Sequence, residues 1–65
     1  MPNVVITLHR EMSRVRALLP KMDPQRQREI EFVLSSADVH MAMNSLEGMM
    51  ESISDLQAVQ AEHKP

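Results

Sequence analysis

Two prolines, Pro20 and Pro24, with Asp23 just before the second, cut this chain into a short and a long helical segment. The residue ahead of a proline is pushed out of the α region, so the first segment is expected to end at Leu19. Asp23 can accept a hydrogen bond from the start of a new helix, and Pro24 fits the first helical position, where its missing N–H costs nothing. A linker this short between helices implies antiparallel neighbours. The sequence therefore reads as an all-α, antiparallel helical hairpin in a single domain. Its short helix covers about 3–19, its turn 20–23 and its long helix about 24–62.

In the first segment Val5, Leu8, Met12, Val15 and Leu19 recur at spacings of 3 and 4, an apolar heptad seam that Val4 and Leu18 widen. Arg10, Ser13, Arg14 and Ala17 fall on the opposite face. Asn3 can cap a helix here, but Val4-Val5-Ile6-Thr7 is β-branched and suits an extended lead-in as well.

Nothing after Pro24 forces the second segment to stop, and unbroken it would extend about 57 Å. Ser35-Ser36 and Asn44-Ser45 can each cap a new helix, so a break near 35 or 45 is the alternative, and Gly48 weakens the helix further. At about 100° per residue, Ile30, Val33, Leu34, Ala37 and Met41 share one face. Phe32, Val39, Met43, Leu46 and Met50 share nearly the opposite one, with Ile53 and Leu56 drifting from it. A short first helix can cover one stripe only. The other is expected to be an interface, with a copy of the chain or a different protein, unless a third helix folds back and buries it. Two hairpins closing into a four-helix bundle is the simplest product.

Size points the same way. A chain of 65 residues without cysteine has neither a disulfide nor a thiolate zinc site to supplement a small core, so association is the expected supplement. Apolar residues at 43% and charged residues at 25% favour a globular fold over disorder. The amino-terminal residues lack the basic start and long apolar core of a signal peptide, and no apolar run approaches a membrane span. The expected location is the cytoplasm, of a bacterium or for a phage protein of its host.

The formal charge of −2 conceals sorting along the chain. Residues 9–28 carry Arg10, Arg14, Arg16, Lys21, Arg26 and Arg28 against Glu11 and Asp23. Residues 29–65 carry Glu29, Glu31, Asp38, Glu47, Glu51, Asp55 and Glu62 against Lys64 alone. Cations at Arg26 and Arg28 oppose the macrodipole at a helix start. A basic patch of Arg10, Arg14, Arg26 and Arg28 would meet an acidic end of a sister subunit, an acidic protein or a nucleic-acid backbone. Local Arg26–Glu29 and Arg28–Glu31 pairing is the plainer alternative.

Catalytic signatures are missing. The chain has no cysteine nucleophile, no glycine-rich phosphate loop, no paired-histidine metal motif and no E-x-x-H pair, and His9, His40 and His63 are scattered. His40, Met41 and Met43 cannot all point one way on a helix, so a soft-metal site does not follow. No catalytic residue, cofactor, metal or small-molecule substrate is expected. With Phe32 as the sole aromatic and a pI near 5.8, nucleic acid is a weaker expectation than protein.

In length and helix layout, though in no motif, the chain resembles the small dimeric hairpins of the Rop type, which bind RNA. It also resembles the short helical co-chaperones of type III secretion and small phage inhibitors of host proteins. The expected function is protein binding: a regulator, inhibitor or co-chaperone that occludes a partner through Phe32, Val39, Met43, Leu46, Met50 and Ile53. The alternatives are a Rop-like dimeric nucleic-acid-binding regulator and a structural assembly subunit.

Overall fold

Asn3 decides between the two readings of the β-branched start. Its side-chain oxygen accepts from the Val5 N–H at 2.9 Å and the Ile6 N–H at 3.3 Å, and helix begins at once. The computed structural model describes residues 3–63. It comprises α1 (Val4–Leu18), a 3-10 turn (Leu19–Lys21), α2 (Pro24–Ala42) and α3 (Leu46–Glu62). Lys64, counted above in the charge of the second half, lies outside the described residues.

Leu19 keeps right-handed helical angles despite preceding Pro20, and the chain tightens into the 3-10 turn instead of stopping. The proline lies at the start of that turn, where an N–H would be unused. Met22 then folds inward and is buried. Gln27 holds the connection from the other side, its Nε2 donating to the Leu19 carbonyl at 2.8 Å and the Met22 carbonyl at 3.2 Å. Asp23 caps α2, accepting from the Arg26 N–H at 2.9 Å.

The long second helix does not exist as one rod; it breaks at 43–45, and the hairpin becomes a three-helix arrangement. Asn44 takes a left-handed conformation with φ of 53°. Its N–H donates to the Met41 carbonyl at 3.0 Å, and the Ser45 N–H to the His40 carbonyl at 3.0 Å. That pairing closes a helix end. Ser45 opens the next helix, its hydroxyl accepting from the Gly48 N–H at 3.1 Å. Ser35 and Ser36, the other candidate break, stay within α2. Asparagine tolerates the left-handed region and a β-branched residue does not. Asn44→Val is therefore expected to lower stability by about 1–2 kcal/mol, and Asn44→Gly to leave it unchanged or raise it slightly, in urea titrations followed by circular dichroism.

Contacts along the helices fix their directions. Val4 and Thr7 face Met50 and Ile53 at one end, while Glu11 meets Gln60 further down, so α1 and α3 run parallel. Arg26 reaches Glu62 and His40 reaches Ser52, so α2 and α3 run antiparallel. Helix α3 packs against both others, which touch each other little. The core joins Leu8, Met12 and Val15 of α1 to Met22, to Ile30, Leu34 and Ala37 of α2, and to Met49, Leu56 and Val59 of α3. In α1, Val4 is more buried than Val5, which was expected in the seam. Two copies of this chain would bring six helices, so the four-helix dimer no longer follows.

Candidate functional site

Helix α2 carries two heptad seams on opposite sides. Ile30, Leu34, Ala37 and Met41, at spacings of 4, 3 and 4, form the inner seam, buried or half-buried against the other helices. Phe32, Ser36, Val39 and Met43 repeat the same spacing on the outer side. Phe32 is 74% exposed and Met43 71%, and Val39 is more than half exposed. Ser36 is half-buried between them. The outer seam extends about 16 Å along α2.

The break divides the expected strip in two. Leu46 and Met50 do not continue the outer seam of α2. They lie on a stripe of α3 that runs through Ile53 to Gln60, the side turned toward α1. Helix α1 starts too late to cover their end, so Leu46 and Met50 remain exposed while Ile53 is half-buried. Where α1 begins, Val4, Thr7, Met50 and Ile53 line an open, largely apolar cleft of about 260 Å³. From the sequence Val4 was read only as widening the α1 seam and Thr7 was not singled out as a site residue, because only knowing that α1 and α3 run parallel brings them to Met50. Leu56, placed on the drift of the expected strip, is fully buried.

The four arginines of the expected basic patch do not act alike. Arg14 donates to Glu11 at 3.1 Å, and Glu11, itself buried, also accepts from Gln60 of α3. Arg26 pairs with Glu29 at 3.3 Å and with Glu62 at the end of α3. Hydrogen bonds that it donates to Glu29 first, then Glu62, hold its guanidinium above its ordinary pKa. Arg10 and Arg28 are exposed and make no ion pair among the described residues. The acidic segment thus supplies in cis part of what the basic turn needed, and Arg28–Glu31 pairing is not formed.

His40 packs between α2 and α3, its Nδ1 2.8 Å from the Ser52 hydroxyl, over Gly48. Among the described residues no group of three or more His, Asp and Glu is placed to share a metal ion. No described helix is long and apolar enough to cross a membrane. No family model, curated protein or solved structure matches this chain.

Proposed function

We propose that this chain is a protein-binding module, acting by binding and not by catalysis, as a regulator, inhibitor or co-chaperone that covers a surface of its partner. The observation that carries this reading is the outer seam of α2. It has the same heptad spacing as the inner seam that builds the core, yet Phe32, Val39 and Met43 stand in solvent. Regular spacing of large apolar side chains along an exposed helix is the form in which one helix offers itself to another. A small domain gains stability when such a seam is covered, because apolar area leaves water. The pairing of Arg14 and Arg26 within the chain leaves Arg10 and Arg28 as the unpaired members of the basic patch, a small footprint for a nucleic-acid backbone.

The test places a photo-crosslinking amino acid at Val39 in one variant and at Ser13, on the exposed side of α1, in another. Each is expressed in the cells that make the protein. A discrete adduct with a different protein is expected from position 39 and not from position 13. Equal labelling at both positions, or adducts with its own copies alone, would overturn the reading.

A further inference from the structure

The charge around the outer seam narrows the partner, and this inference rests on the docking reading above. From Glu29 to His63 the chain has no lysine or arginine. Within that stretch Glu31, Asp38, Glu47, Glu51 and Asp55 are exposed and form no ion pair among the described residues. Two of them adjoin the seam across the α2–α3 groove. Glu51, Asp55 and Glu62 share one stripe of α3 at spacings of 4 and 7, and Glu62 touches Arg26 of α2, so this stripe borders α2. Glu31 and Asp38 each precede a seam residue, Phe32 and Val39. The seam thus has carboxylates on both sides, and among the described residues of α2 its one unpaired arginine is Arg28, a turn before Phe32.

We propose that the outer seam of α2 binds a cationic amphipathic helix of another protein, its apolar face on Phe32, Val39 and Met43 and its lysines or arginines toward Glu31, Asp38, Glu51 and Asp55. The spacing of 7 and 4 between the three anchors matches the apolar stripe of a helix laid along α2. Met43 adds an unbranched, polarisable side chain that adapts to the shape it meets. Charge also speaks against a second copy here. A symmetric dimer sets the same patch against itself. These carboxylates would then face their own kind, with one Arg28 per copy to offset them.

The probe is a fluorescein-labelled model peptide with leucines at the two apolar heptad positions and lysines elsewhere, titrated with the full chain by fluorescence anisotropy. Matched peptides carry glutamine or glutamate in place of lysine. The lysine peptide is expected to bind, more weakly as salt rises, and the glutamate peptide not to bind. Glu51→Gln with Asp55→Gln is expected to weaken binding about tenfold, through loss of two attractions at the rim. Phe32→Gln with Met43→Gln, both at exposed positions, is expected to remove binding while the melting curve is retained.

Equal binding of the glutamine peptide would overturn the cationic partner and leave the docking surface standing. Binding of the lysine peptide that survives Phe32→Gln with Met43→Gln would overturn the assignment to this seam. If no peptide binds, the cationic helix is excluded, and crosslinking at Val39 decides the docking reading separately. A dimer in light scattering that Met43→Asp dissociates would give the seam to a second copy and overturn the proposal.

Discussion

A Leu56→Ala variant is expected to lose most of its cooperative structure. Leu56 is fully buried at the middle of α3, the helix that packs against both others. Truncating a buried leucine removes its transfer energy and leaves a cavity, together about 2–5 kcal/mol. A core in a chain this short supplies only about 3–5 kcal/mol of net stability. The loss is therefore comparable to the whole. Circular dichroism at 222 nm (the usual wavelength for helix, roughly) during a thermal melt should show a broad or absent transition. Leu46→Ala removes the same side chain from an exposed position and is expected to melt close to the parent. Similar melting of the two variants would mean that α3 is not the centre of the fold.

Gly48→Ala should also destabilise, against the preference of an isolated helix. In a helix interior alanine is better than glycine by about 1 kcal/mol. Here the added methyl would lie 2.6 Å from Cδ2 and 2.7 Å from Cγ of His40, and 3.0 Å from the Ser45 hydroxyl. Those ring atoms sit near the root of the side chain, so the whole imidazole must move. It would leave Ser52, which is buried and hydrogen-bonded to it. Overpacking and the broken bond together should outweigh the helix gain, for a net loss of about 1–2 kcal/mol. In a double-mutant cycle with His40→Ala, the cost of the alanine at 48 should largely vanish. A Gly48→Ala variant more stable than the parent would show that α2 and α3 do not meet as closely as described.

Local chemistry made much of this fold legible. The Asp23-Pro24 start, the inner seam of α2 and the Leu8-Met12-Val15 core of α1 follow from spacing and capping alone. The Asn44-Ser45 break was readable only as one of two candidates. Choosing it needs the left-handed angle of Asn44 and the fit of His40 over Gly48, which are tertiary facts. The break also resets the helical phase. Carrying the α2 pattern past it missed Met49 and Val59 as core and joined Leu46 and Met50 to a strip that ends at Met43. Once α3 is taken to begin at Leu46, Met49, Ser52, Leu56 and Val59 show their own heptad spacing. Glu11 was passed over because a carboxylate between Leu8 and Met12 reads as surface, and its burial depends on Gln60 from the far side of the sequence.

Two reversals between three helices send the polypeptide out at the pole opposite to the one it entered. Asn3 lies at the pole of the Met50 cleft, whereas His63 lies at the pole of Arg26, far from Met43. A bulky fluorescent fusion should thus be tolerated behind the chain more readily than in front of it. Attachment to a sensor chip through the tail would leave the Met43 end of the rod free for encounter.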